Sequence, residues 1–233
     1  MPDPPMTSSD ESLQAKVKAV HERLVEAYGE PRRQDPMPPL EQLVSTILSQ
    51  NTNDVNRDRA YERLRERFPT WAQVRDAPVE EVVEAIRPGG LANQKAPRIR
   101  EALRRITGER GELSLDFLAD VPLEQAREWL MSLDGVGPKT TAIILLFSLG
   151  RPAFPVDTHV HRVSQRLGLI GERVSAEKAH ELLEARLPSE WYYAFHLNLV
   201  RHGRQVCQAR NPKCDKCVLS DLCDYYQREF EDS

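Results

Sequence analysis

All four cysteines of this 233-residue chain fall within seventeen residues near its C-terminal end: Cys207, Cys214, Cys217 and Cys223, spaced C-x6-C-x2-C-x5-C. Four thiols in so short a stretch suit a shared metal centre, with free structural thiols as the lesser alternative. A disulfide framework explains them poorly, because it belongs to secreted chains. The segment Met1 to Glu11 has neither the basic start nor the apolar centre of a secretory signal. Four thiolates suit zinc or an iron–sulfur cluster. Zinc sites favour two close cysteine pairs, and here only Cys214 and Cys217 are that close. The wider outer gaps suit a ligand with bulk of its own, so a [4Fe–4S] cluster is expected ahead of zinc. Arg201, Arg204, Arg210, Lys213 and Lys216 stand against Asp215 alone, which gives segment 201–217 a charge of +4. Such a loop either presents cations to phosphates or simply offsets an anionic centre.

The whole chain carries a formal charge of -4, which reads against a nucleic-acid binder. The ends account for it. Residues 1–12 carry -3 and residues 221–233 carry -4, so 13–220 carries +3. Weak and strongly salt-dependent non-specific binding is expected of such a surface. Only seven of the 32 basic residues are lysines. Arginine stays charged and grips phosphate bidentately, whereas lysine can lose its proton and attack. Codon bias explains the arginine excess equally well, but a lysine in an unusual place is informative.

Outside the cysteine segment the periodicity is helical. Leu13, Val17, Val20, Leu24 and Ala27 mark one face of a helix ending near Gly29, and Leu40, Leu43, Val44, Ile47 and Leu48 mark another. Asp54 is expected to cap the next helix, which runs to Phe68-Pro69, and Pro78 to open another. Stretches 96–106, 122–133, 174–187 and 191–201 read the same way. No segment alternates with period two, so the expected class is all-α. The most apolar stretch, Ala142 to Leu149, is far shorter than the ~18 residues of a membrane span. Residues 1–12 and 227–233 are expected to be acidic tails, the first disordered.

Two further segments carry chemistry. Leu133-Asp134-Gly135-Val136-Gly137-Pro138-Lys139 places a glycine turn before an apolar helix. Exposed N–H groups at a helix start bind phosphate; the plain alternative is a helix corner. Lys139 stands at the N-terminus of that helix. The helix dipole and local desolvation disfavour an ammonium there, which is what an amine nucleophile requires. Eighteen residues on, Asp157 opens an amphipathic helix bearing Val160, Val163 and Leu167. Ordinary capping explains it alone, yet the loop Arg151 to Val156 is long enough to return Asp157 to the Lys139 end. His159 and His161 are two apart on that helix and cannot share a face, so they are not a metal pair.

LDGVGPKTTA, then VDTHVHR, then the cysteine spacing, together resemble the endonuclease III family of DNA glycosylases. ILSQNTND (47–54) and GLANQKA (90–96) extend the resemblance over residues 13–226. The resemblance implies a two-domain all-α helix-hairpin-helix fold. A six-helix barrel would occupy 36–151, and an iron–sulfur domain 152–226 would pack with the N-terminal helix 13–35. Double-stranded DNA would lie across the cleft between them with the damaged base flipped out. It implies Lys139 as nucleophile, Asp157 as the essential carboxylate and Cys207, Cys214, Cys217 and Cys223 as ligands of a [4Fe–4S] cluster. Gly135, Val136, Gly137, Lys139, Gln50, Asn51, Leu91, His159, Arg201, Arg204, Arg210 and Lys213 would contact DNA. Leu91 and a residue of ILSQNTND would fill the gap left by flipping. The family commonly has glutamine where this chain has Asn51, with Gln50 shifted one place earlier.

The expected function is excision of oxidised pyrimidines with strand cleavage at the abasic product. Mismatch excision of uracil or thymine opposite guanine, and a non-catalytic DNA-binding module, are the alternatives. The expected partner is duplex DNA carrying damaged pyrimidines or abasic sites, with no membrane. A monomer working in the cytoplasm at the nucleoid is expected.

Overall fold

The computed structural model describes residues 8–33 and 35–231. Among them there is no strand, and no helix is long and apolar enough to cross a membrane. The chain divides into two compact units, residues 35–151 and residues 1–34 with 152–233.

In the 35–151 unit, α2 (Pro39–Ser49) is the central element, packing against α3 (Asp54–Arg67), α6 (Ala92–Arg110) and α8 (Pro138–Ile143). It buries Leu43, Val44, Ile47 and Leu48 to 1% exposure or less. Each such side chain contributes roughly 1.5–3 kcal/mol of transfer free energy. Around it stand α4 (Trp71–Asp76), α5 (Val79–Ile86) and α7 (Leu123–Met131). Asn53, rather than the expected Asp54, caps α3 by accepting from the Asn56 N–H at 2.9 Å. Both residue types cap well; the extended backbone falls at Asn53, so Asp54 becomes the first helical residue. Helix α4 was not marked by periodicity, being barely more than one turn. Its sign is a capping box, Thr70 with Gln73. After Ile143 the α8 turn widens to i→i+5 over Ile144–Ser148.

In the other unit, α1 (Ser8–Tyr28) packs on α11 (Tyr192–Gln205), which packs on α9 (Thr158–Arg166); α10 (Ala176–Arg186) also meets α9. Val20, Leu24, Phe154, Phe195, Leu199 and Leu183 are fully buried there. Helix α1 begins at Ser8, inside the segment expected to be disordered. Acidic residues such as Glu11 favour a helix N-terminus. Residues 1–7 of that expected tail lie outside the described residues. The C-terminal tail expected over 227–233 is also helical through Glu231, and 232–233 are outside the described residues. Lys16 pairs with Asp224, and Arg23 with Asp221 and the Val218 carbonyl, so α1 is tied to the cysteine segment.

Candidate functional site

The glycine turn lies in the 35–151 unit. Gly135 has φ +75°, and a Cβ there would stand 2.8 Å from Arg98 Cδ. The positive φ favours glycine, and a side chain there would also have to push Arg98 aside. Gly137 is the N-cap of α8 and Pro138 its first residue. Val136 is buried, so its side chain anchors the turn and only its backbone is offered outward. Lys139 is exposed at the second position of α8. The helix end expected to act on it is present, but the protein does not desolvate it.

Two further turns lie in the same unit. Gln50 is half-buried, and its Nε2 donates to the Gly135 carbonyl at 2.8 Å. Asn51 is exposed with φ 51°. Leu91 is 45% exposed with φ 50° and forms the N-cap of α6. Non-glycine residues seldom take this left-handed conformation.

Asp157 lies in the other unit as the N-cap of α9. One carboxylate oxygen accepts from the His159 N–H at 2.9 Å and the Val160 N–H at 2.7 Å; the other oxygen makes no hydrogen bond among the described residues. The strap before it is fixed from both sides. Glu184 accepts from the Phe154 N–H at 2.6 Å. His180 and His196 donate through Nδ1 to the carbonyls of Phe154 and Pro155, each at 2.9 Å. His159 and His161 are separately engaged, with Arg162 and with the Val174 carbonyl.

The four cysteines ring a small cavity, also lined by Arg166, Tyr225 and Tyr226. Among the described residues no three His, Cys, Asp or Glu side chains group to hold a single ion. Four thiols around a cavity fit a cluster, whose bulk fills the space and whose irons each take one thiolate. Burial pushes Cys217 up to about 11 and raises Cys214 and Cys223, with the neighbouring thiols adding to each. Ligation must therefore displace protons. Arg166 Nη1 lies 3.3 Å from Cys207 Sγ, and His202 Nε2 lies 3.6 Å from Cys217 Sγ. Burial lowers His202 to about 4, so its ring is neutral. Tyr28 Oη sits 2.9 Å from His202 Nδ1. A thiolate only accepts, so the ring proton belongs on Nε2 and the tyrosine donates to Nδ1. Arg204, Arg210 and Lys213 are exposed around the loop, and Arg201 reaches back to the Tyr28 carbonyl at 3.2 Å.

Sequence reasoning passed over Arg166, His202 and Tyr28, whose partners are 41, 15 and 174 residues away. It also passed over Lys95. That residue is four before Ile99 on the apolar stripe of α6, which was the available sign.

The model of HhH-GPD superfamily base excision DNA repair proteins matches residues 44–189, and that of the iron–sulfur binding domain of endonuclease III matches residues 207–223. Endonuclease III of Thermotoga maritima is 36% identical over 198 residues, covering 85% of this chain and 88% of the relative. A non-covalent endonuclease III–DNA complex superposes with a TM-score of 0.80 at 28% identity, covering 94% of this chain and 98% of that one. A trapped endonuclease III–DNA covalent intermediate does so at 0.79 and 28%, covering 92% and 97%. The chain belongs to the HhH-GPD superfamily of base excision DNA repair proteins, as an endonuclease III-like DNA glycosylase and AP lyase with a [4Fe–4S] cluster.

Proposed function

We propose that the chain excises oxidised pyrimidines from duplex DNA and then cuts the strand through a Schiff base on Lys139. The observation that carries this reading is an exposed lysine directly after the glycine turn, at the start of α8. The likeness to an endonuclease III trapped covalently on DNA supports it.

The damaged base is reached only after flipping, because C1′ is shielded within the stack. Lys139 Nζ gives its lone pair to C1′, and the electrons of the glycosidic bond leave with the base, which takes up a proton released from that nitrogen. Opening of the sugar ring leaves an imine on Nζ. The imine acidifies the 2′-hydrogen; loss of that proton expels the 3′-phosphate, and water then frees Lys139. Asp157 stabilises the positive charge that develops on the sugar as the base departs, through the carboxylate oxygen that the helix cap leaves open. The N–H groups of the glycine turn and of the α8 N-terminus hold backbone phosphate. Arg204, Arg210 and Lys213 add phosphate contacts and no sequence reading. Asn51 and Leu91 fill the gap in the stack.

Cys207, Cys214, Cys217 and Cys223 hold the cluster. When bound, it shapes the basic loop, because four protein thiolates leave no position open to substrate. Cys217→Ser is expected to lose the visible charge-transfer absorption and most of the roughly four irons per chain. Weaker DNA binding and a lower melting temperature should accompany that loss. Full iron content in the variant would remove Cys217 from the ligand set.

The test of substrate is an excision panel on the cluster-loaded protein. It compares thymine glycol, dihydrouracil, uracil and mismatched thymine opposite each base in duplex DNA. Oxidised pyrimidines are expected to be released fastest. Faster release of uracil or thymine opposite guanine would replace the substrate assignment and leave the Lys139 chemistry standing. The protein is expected to run as a monomer in sedimentation, with and without DNA.

A further inference from the structure

Lys95 is 1% exposed, among the largest fully enclosed side chains of the described residues. Lysines are almost never buried so deeply without a partner. The partners here are two carbonyls: Nζ donates to the Leu48 oxygen at 2.7 Å and to the Gly89 oxygen at 2.8 Å. Among the described residues no carboxylate pairs with it, and burial lowers it to about 8. Even the neutral amine has two N–H bonds for the two oxygens, so the link does not depend on the charge.

Both carbonyls end helical turns. Leu48 is in the last turn of α2, and Gly89 closes the 3-10 turn Arg87–Gly89. Such terminal carbonyls have no partner within their own helix, and a lysine suits them. Both also lead into strained residues. Asn51 follows Leu48 by three residues, and Leu91 follows Gly89 by two, and each has φ near +50°. Left-handed backbone at an asparagine and especially at a leucine persists only where the surroundings over-determine it. The same helix that carries Lys95 carries Arg98, which pairs with Asp134 and packs against Gly135. Gln50 reaches the Gly135 carbonyl from the α2 side. Lys95 Nζ thus bonds to both segments, three residues before Asn51 and two before Leu91.

We propose that Lys95 is a positioning residue whose Nζ joins the turn before Asn51 to the turn before Leu91, so that these two exposed residues enter the DNA gap as one unit. This rests on the reading of Asn51 and Leu91 as gap-filling residues. It assigns Lys95 no contact with DNA and no part in bond breaking.

The test compares two activities of the cluster-loaded protein. Excision of a paired lesion from duplex DNA needs the gap to be filled; borohydride trapping on an abasic site in single-stranded DNA does not. Lys95→Met is expected to lower the ratio of duplex excision to single-strand trapping about tenfold, the scale on which flipping costs enter. It is also expected to reduce the fluorescence change of 2-aminopurine placed beside the lesion, a readout independent of trapping. Combining Lys95→Met with Leu91→Ala should be no worse than the more damaging single change. Equal loss of both activities overturns the proposal, since general destabilisation does that. Leu91→Ala separates the two levels of the argument. If Leu91→Ala leaves the ratio unchanged, the gap-filling reading fails; if it lowers the ratio and Lys95→Met does not, only the role of Lys95 fails. Should Lys95→Met not fold, Lys95→Gln fills the core with a donor on a shorter chain. A lowered ratio for it supports the link, and a wild-type ratio overturns it.

Discussion

Lys139→Gln is expected to abolish borohydride trapping on abasic-site DNA while leaving the protein folded and bound to DNA. Lys139 is exposed at the second position of α8. Glutamine has nearly the same helix propensity as lysine, and exposed substitutions of this kind usually change stability by less than ~0.5 kcal/mol. What changes is the chemistry at Nζ. An amide nitrogen has no free lone pair to give to C1′, so neither the covalent intermediate nor the β-elimination that follows from it can form. Removing a nucleophile typically costs on the order of 10⁴-fold or more, and the loss should register in trapping and in strand cleavage together. Affinity for abasic-site DNA should fall only by the worth of one cation, seen as a salt slope smaller by about 1. Trapping at the wild-type rate would show that another amine is the nucleophile.

How much of this was legible beforehand depended on range along the chain. Apolar residues at helical spacing placed the cores of α1, α2, α6 and α11, because burying one stripe is a local property of the sequence. Ends were less secure, since a cap is decided by which residue turns extended. Asn53 took the place expected for Asp54 for that reason, and α1 began at Ser8 rather than at Leu13. The motifs carried the glycine turn, Lys139, Asp157 and the cysteines because each is a short run with a fixed chemical order. The fate of Gln50 needed the structure. Its hydrogen bond spans 85 residues to Gly135 and leaves Asn51 as the exposed member of the pair.

The same limit hid the side chains around the cysteines. Nothing local to Tyr28 says that it donates to a histidine 174 residues away, which in turn faces Cys217. Lys95 is the intermediate case. Its place on an apolar stripe, in a chain that prefers arginine, was visible; the two carbonyls that make the burial tolerable were not. Charge was also misleading at the level of the whole chain. The net -4 is a property of its two ends, and the segment from 201 to 217 is strongly positive.

Asp157→Asn is expected to lower excision by on the order of 10²–10³-fold with almost no change in melting temperature. On the proposed mechanism the carboxylate does two things that this substitution pulls apart. One oxygen caps α9 by accepting from the His159 and Val160 N–H groups. Asparagine caps a helix about as well as aspartate, through its side-chain carbonyl, and the strap held by Glu184, His180 and His196 is untouched. The fold should therefore survive. What asparagine lacks is negative charge to stabilise the sugar as the base departs, and charge placed where it develops in the transition state is worth several kcal/mol. Asp157→Ala removes both functions and should add a stability loss of about 1 kcal/mol from the missing cap. The comparison that decides is between the two variants. If Asp157→Asn excises as fast as the wild type while Asp157→Ala is both slow and unstable, the residue is a helix cap and the catalytic role falls. If both are slow and only Asp157→Ala melts early, the charge acts in the reaction and the cap holds the charge in place.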